Sequence, residues 1–193
     1  MARSKGFDEK VVLKKAMELF WQQGYEKTSM QDLVQHMGIH RKSIYDTFGD
    51  KRSLFTASLT NYEKFIVETF NEILSTSKPV KEVIRDIFTF VIQSAELTVY
   101  PKGCLTVNAA VELSSIDQEF NQLVTRMFKD TELMFEHLLI TGQKNGELNK
   151  AIDPYSTSKF LHNNLIGFRV MVKTDYTKKD LESNIDLMMK VLD

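Results

Sequence analysis

Six of the nine residues from His40 to Phe48 carry side chains that hydrogen-bond readily to nucleic acid: His40, Arg41, Lys42, Ser43, Tyr45 and Thr47. Ile44 and Phe48, four residues apart, share one face of a helix, so that face is buried and the polar groups are left on the others. Arg and Lys donate to the O6 and N7 acceptors of guanine in the major groove, and hydroxyls serve phosphate oxygens. Arg41 and Lys42 are both candidates for the guanine contact, and Tyr45 would donate its hydroxyl to phosphate. Lys51 follows at the head of a further apolar segment, where a cation and the free amides of a helix start can jointly hold phosphate.

These residues need a support. Met30, Leu33, Val34 and Met37 fall at i, i+3, i+4 and i+7, the apolar stripe of a helix too short to stand alone. Thr28 followed by Gln31 predicts a capping box at its start. Gly38 sits where the chain must turn sharply, since glycine reaches left-handed angles at little cost, and Ile39 re-enters the core. Two short helices around such a turn, the second basic and hydroxyl-rich, describe a helix-turn-helix that reads DNA.

The string GYEKTSMQDLVQHMGIHRKSIYDTFGDKRSLF resembles the DNA-binding domain of the TetR family, the tetracycline-repressor-like bacterial regulators. Phe20, Gly24, Tyr25, Thr28, Gly38, Ile39, Ser43, Ile44, Tyr45, Phe48, Lys51 and Leu54 match in the family's order and spacing. The resemblance implies DNA contacts from Thr28, His40, Arg41, Lys42, Ser43, Tyr45, Thr47 and Lys51. It also implies a homodimeric, ligand-responsive repressor on an inverted-repeat operator, released by a small-molecule inducer. In such a dimer the last two helices of each subunit meet in a four-helix interface, and Gly167 permits close approach there. The sequence departs from the family pattern at Val34, where Ala is usual, at His40, where Ser or Thr commonly caps the recognition helix, and at Thr47, where His is frequent. The latter two lie on the DNA-facing side, so no known operator sequence carries over.

Bulk properties set bounds. The chain has 193 residues and net charge -1, enough length for a sizeable core. The charge is unevenly placed: residues 1–54 hold ten Lys/Arg and seven Asp/Glu, net +3, leaving fifteen basic and nineteen acidic residues, net -4. The positive end carries the motif, and an acidic body orients that end toward DNA. A single cysteine, Cys104, excludes an intramolecular disulfide and suits a reducing cytosol. The start MARSKGFDEK has no apolar core of a leader, and no apolar run is long enough to span a bilayer. A soluble, cytoplasmic protein without a membrane partner is expected. The sequence shows no P-loop, Gly-x-Gly-x-x-Gly, Gly-x-Ser-x-Gly or metal-ligand spacing, so neither an enzyme nor a cofactor is indicated.

The helical period predicts elements over residues 7–23, then the two short helices, then about 51–76, 80–97, a helix through about Leu113 after a turn at Pro101 to Gly103, 117–143, a helix opened by Asp153-Pro154 and running to about Val172, and a last one opened by Thr177 to Asp180. The expected fold is all-α with about nine helices. A three-helix DNA-binding domain, residues 1–52, is joined by a long helix to a helical-bundle ligand-binding and dimerisation domain, residues 53–193.

Candidate sensing residues lie in the body. Aromatic groups including Phe88, Phe90, Tyr100, Phe128 and Phe168 are mostly core, with some expected to line a ligand cavity; Phe88, Phe128 and Phe168 are the candidates. Asn108, polar beside an apolar face, would need a hydrogen-bond partner if buried and is a candidate pocket residue. Cys104 is read as a small buried core residue; the alternative is a sensor of oxidants or electrophiles, with Lys102 nearby to activate it. His137 and His162 lack the companions a metal site requires.

Overall fold

The computed structural model describes residues 6–97 and 103–193, and among these the regular structure is entirely helical. Three helices form the head: α1 Glu9–Gln23, α2 Met30–Met37 and α3 Arg41–Phe48. The long α4, Lys51–Leu74, leaves the head and enters a body built from α5 Val80–Glu96, α6 Leu105–Leu113, α7 Gln118–Lys144, α8 Pro154–Met171 and α9 Lys178–Met189, with a closing 3-10 turn at Lys190–Leu192.

Local chemistry sets the boundaries. The Asp8 carboxylate accepts from the Lys10 and Val11 amides, so α1 starts at Glu9, after the residue 7 that periodicity suggests. The expected Thr28–Gln31 capping box is displaced by one residue. Ser29 accepts from the Asp32 amide and Asp32 from the Ser29 amide. An ionised Asp suits the positive end of a helix better than Gln, while Thr28 is buried and donates its hydroxyl to the Gly24 carbonyl at 2.6 Å. Gly38, at φ 71, closes α2 in the left-handed conformation the turn requires. The α4 helix stops at Leu74, short of Thr76, where the Ser75 and Thr76 hydroxyls bond back to the Glu72 and Ile73 carbonyls. Asp153 caps α8 with Pro154 in its first turn, and Thr177 and Asp180 form a capping box on α9. Of the expected turn only Gly103 is described; Tyr100, Pro101 and Lys102 lie outside the described residues.

Two apolar clusters hold the molecule. One joins α1 to α4 with Cys104, Leu105, Ala109 and Leu113 near α6 and Phe120, Val124 and Met127 of α7. Phe55 meets Phe20, Tyr25 and Phe120 there, and Trp21 sits edge-on to Tyr62 at 4.8 Å. The other gathers Phe70, α5, the far half of α7, α8 and α9. Each large side chain fully buried in these clusters stabilises the fold by roughly 1.5–3 kcal/mol. The first cluster runs across residue 52, so the head is closed by side chains of the body.

Candidate nucleic-acid interface

The buried Ile44 anchors α3, and the remaining faces of this helix are open. His40, Arg41, Lys42 and Tyr45 are exposed, and Ser43 and Thr47 half-buried. One Arg41 guanidinium nitrogen donates to the Tyr45 hydroxyl at 3.3 Å, and the group lies 5.7 Å from the ring centre. That contact steers Arg41 along the helix and leaves the Tyr45 proton for an outside acceptor. His40 occupies the N-cap position of α3 without a side-chain hydrogen bond. The first-turn amides of α3 thus receive no capping oxygen from it.

Two expectations for this face change. Thr28, predicted among the DNA contacts, is wholly buried with its hydroxyl committed to Gly24; its place is in the turn after α1, which its side chain and amide tie back to Gly24 and Tyr25. Lys51 does head α4, but the start of that helix is already capped, because Asp50 accepts from the Ser53 amide at 2.7 Å. Hydrogen bonding by Ser53, through its backbone first, holds the Asp50 carboxyl below its ordinary range. The Lys51 ammonium lies 4.3 Å over the Tyr25 ring. A phosphate at this point would be held chiefly by the ammonium, which the aromatic face positions.

Contacts that sequence reasoning missed tie the head to the body. Glu112 of α6 reaches into the turn after α1 and accepts from the Tyr25 amide at 2.8 Å and the Glu26 amide at 3.3 Å. Gly24, at φ 86, makes room: a Cβ there would come within 2.0 Å of the Glu112 carboxylate. Asn108, the candidate pocket residue, instead bridges the same joint. Its Nδ2 donates to the Trp21 carbonyl at 3.1 Å, and its Oδ1 accepts from Lys173 Nζ at 3.1 Å. At the start of α4, Arg52 pairs with Asp117 at 3.0 Å and Glu119 at 2.7 Å and covers the Phe120 ring. The Phe120 amide, burial opposing it, and then Arg52 hold the Asp117 carboxyl below its ordinary range.

Residues 12–57 match the family model described as bacterial regulatory proteins, tetR family, and residues 80–188 match that of the tetracyclin repressor-like C-terminal domain. The chain belongs to the TetR family. It is 34% identical over 194 residues to the uncharacterized HTH-type transcriptional regulator YezE of Bacillus subtilis (strain 168), covering 100% of both chains. It is 28% identical over 172 residues to the HTH-type transcriptional repressor ComR of Escherichia coli (strain K12), covering 89% of this chain and 82% of that one. A cysteine mutant of the TetR family regulator CifR, solved with 26 bp of double-strand operator DNA, superposes with a TM-score of 0.91 at 22% identity over 100% of both chains, which shows the same fold. TetR proteins are transcriptional regulators and not enzymes.

In this TetR body, a cavity of about 210 Å³ opens between α4, α6, α7 and α8. Tyr62, Ile66, Phe70, Thr106, Met127, Phe128, Met134 and Arg169 form much of its wall. Phe128 is therefore where a cavity residue was expected. Phe88 and Phe168 are not: both are buried, and they meet each other edge-on at 5.4 Å, with Phe88 also stacked near Phe135. Cys104 is buried and off the cavity wall, its sulfur accepting from Arg169 Nη1 at 3.2 Å. Burial pushes the Tyr62 phenol well above its ordinary range, so it stays neutral. His162, behind Phe128, faces Glu132 at 3.3 Å, and burial, partly opposed by Glu132, pushes its imidazole down. His137 lines a separate surface depression. Among the described residues no three acidic, His or Cys groups come together as a metal site, and no helix is long and apolar enough to cross a membrane.

Proposed function

We propose that this TetR regulator is a repressor that binds an inverted-repeat operator as a homodimer and releases it when a small molecule fills the body cavity. The observation that carries this reading is that α4 touches both sites. Lys51 at its head follows the end of α3 by three residues and lies over the Tyr25 ring, and Tyr62, Ile66 and Phe70 further along it wall the cavity. From Lys51 to Phe70 is about 30 Å at the usual helical rise. A ligand that favours a different placement of α4 moves the head by rigid leverage, and Glu112 on α6, whose Thr106 also lines the cavity, pulls on the same joint. Release follows from differential affinity for the two placements.

In this reading His40, Arg41, Lys42, Ser43, Tyr45, Thr47 and Lys51 contact DNA. The head, residues 1–52, and the body, residues 53–193, are its two working parts. Dimerisation is supported by apolar groups left in the open on the last two helices: Phe160 and Val170 on α8, and Leu187 on α9 with Val191 after it. Gly167 on α8 has nothing within 4 Å of where a Cβ would stand, so a partner helix can approach. The ComR relative is named a repressor, and the CifR relative was solved with operator DNA.

Binding of selected genomic fragments, followed by fluorescence anisotropy across a salt series, tests the reading. Log affinity should fall linearly with log salt, and Lys51→Ala should flatten the slope by about one. The selected sites should be inverted repeats with half-site centres about one helical turn, or a multiple, apart. Direct repeats, or a monomer that binds one half-site tightly, would contradict it.

A second reading has one observation in its favour: the Arg169 guanidinium on the Cys104 sulfur is a cationic neighbour of the kind that sensing thiols have. Peroxide or a quinone added to the operator complex decides between them. Release from the wild type but not from Cys104→Ser would make the thiol the sensor of oxidants or electrophiles. Release from neither leaves Cys104 a structural residue.

A further inference from the structure

Arg169 is 7% exposed and forms part of an otherwise largely apolar cavity wall. A guanidinium carries several N–H donors and keeps its charge in proteins. Among the described residues its one hydrogen-bond acceptor is the Cys104 sulfur at 3.2 Å, and the Phe70 ring centre lies 5.9 Å away. No carboxylate of the described residues pairs with it. The acids at the cavity edge, Glu63 and Asp130, are held by Arg126, at 2.6 Å and 3.0 Å. An uncompensated cation so deeply buried is costly, and an apolar residue of similar size would fill the same space on α8 without that cost. The charge is explained if its partner arrives from outside.

We propose that the effector of this regulator is a small apolar carboxylate, its head paired with Arg169 and its tail lying among Phe70, Met127, Phe128 and Met134. The inference rests on the reading of the body as a ligand-sensing domain. A planar guanidinium fork matches a carboxylate with two parallel hydrogen bonds. The neutral Tyr62 phenol, close enough to Arg169 to feel its charge, is a further polar group near that head, while the Thr106 hydroxyl on the same wall faces the Met127 sulfur at 3.8 Å. Ile66, Phe70, Met127, Phe128 and Met134 offer hydrocarbon, ring and thioether surface, which suits an alkyl or aryl tail, while Glu63, Asn71, Asp130 and Thr131 are the other polar groups of the lining. A cavity of about 210 Å³ suits a compact ligand, being smaller than the usual drug-sized site.

Isothermal titration of the full chain with octanoate and with 3-phenylpropanoate, each beside its primary amide, tests the proposal. One acid or both should bind about tenfold or more tightly than the matching amide, because the amide leaves the buried charge unpaired. Octanoate ahead of 3-phenylpropanoate marks an aliphatic tail, and the reverse an aromatic one. Arg169→Met should abolish the advantage of the acid and Arg169→Lys should retain part of it, with thermal melts establishing that each variant folds. The wild-type comparison of acid with amide stands even if neither variant does. Equal binding of acid and amide overturns the proposal, as does an acid that keeps its advantage in folded Arg169→Met, or the absence of binding by either acid at millimolar concentration. Operator release is read separately by anisotropy. Release by the amides as readily as by the acids overturns the carboxylate and leaves the ligand-responsive repressor standing. Acid-selective binding that depends on Arg169 without release of DNA supports the carboxylate site and counts against the repressor reading.

Discussion

The recognition face and the cavity wall both present arginine, under opposite conditions. Arg41 stands in water on α3, loosely held by Tyr45, while Arg169 is shut into the body beside a sulfur and a phenyl ring. A solvated cation needs no internal partner, because water serves until phosphate or guanine replaces it. A buried one must be compensated or it destabilises the fold. Changes on the first surface should therefore act on binding and spare stability. Changes at the joint or behind the cavity should act on stability as well.

The sharpest separation is expected from Arg41→Ala combined with Lys42→Ala. On the proposed reading both residues contact the operator, so together they should cost roughly 3 kcal/mol of operator affinity, about a hundredfold. Both residues are exposed, and the melting temperature should stay within a degree or so of the wild type, surface substitutions being nearly neutral. A large fall in melting temperature would break the comparison, since it would make α3 part of the stability of the head.

Next in size is Glu112→Ala. It removes the acceptor of two amides in the turn after α1, and hydrogen bonds to a charged group are worth roughly 1.5–3 kcal/mol. Urea unfolding should show a loss of roughly 2 kcal/mol, and hydrogen exchange should show it concentrated at Tyr25 and Glu26. Loss spread evenly over all helices would mean that Glu112 supports the body alone and does not couple it to the head.

The same contrast explains what could be read from the chain. The head is written in nearby residues: Ser29 and Gly38 cap one short helix, Ile44 and Phe48 lie in the next, and periodicity with cap chemistry recovers their arrangement. The register of the cap was still missed by one residue, because Thr28 and Ser29 are both capping types and only the packing of the turn after α1 decides which is buried. The cavity is assembled from four helices that are distant in sequence. A Phe on an apolar stripe can face a neighbour or a void, so Phe128 could not be told from Phe88 and Phe168. A usable signal did exist at Arg169, a lone charge inside the apolar run Leu165 to Val172. Glu112 gave no comparable signal, since its partners, the Tyr25 and Glu26 amides, are more than eighty residues away.

Tyr45→Phe sharpens the head side of the comparison. The change deletes one exposed hydroxyl that accepts from Arg41 and is free to donate to phosphate. Operator affinity should drop by roughly 1 kcal/mol, with thermal melts unchanged. If instead the melting temperature falls and affinity holds, the ring belongs to the core of the head and plays no part in contact with DNA.

The smallest expected effect lies on the buried side, at His162. Its imidazole faces Glu132 from α7, with Phe128 against the ring and the Arg169 charge on its own helix. Burial lowers its proton affinity, Glu132 raises it in part, and Arg169 lowers it further. The folded protein therefore binds this proton less well than the unfolded chain does, and the unfolded state holds more protons as the solution is acidified. The stabilising contribution of neutral His162 is fully present above the unfolded value of roughly 6.5. It is lost progressively as pH falls from there through the lowered folded value, and then levels off. Urea midpoints at pH 7.5 and pH 5.5 should fall further in the wild type than in His162→Gln, whose amide can still meet Glu132 but takes up no proton. Equal falls in the two proteins would show that His162 keeps its proton against Glu132 in the folded body, and that this part of the interior tolerates a second charge beside Arg169.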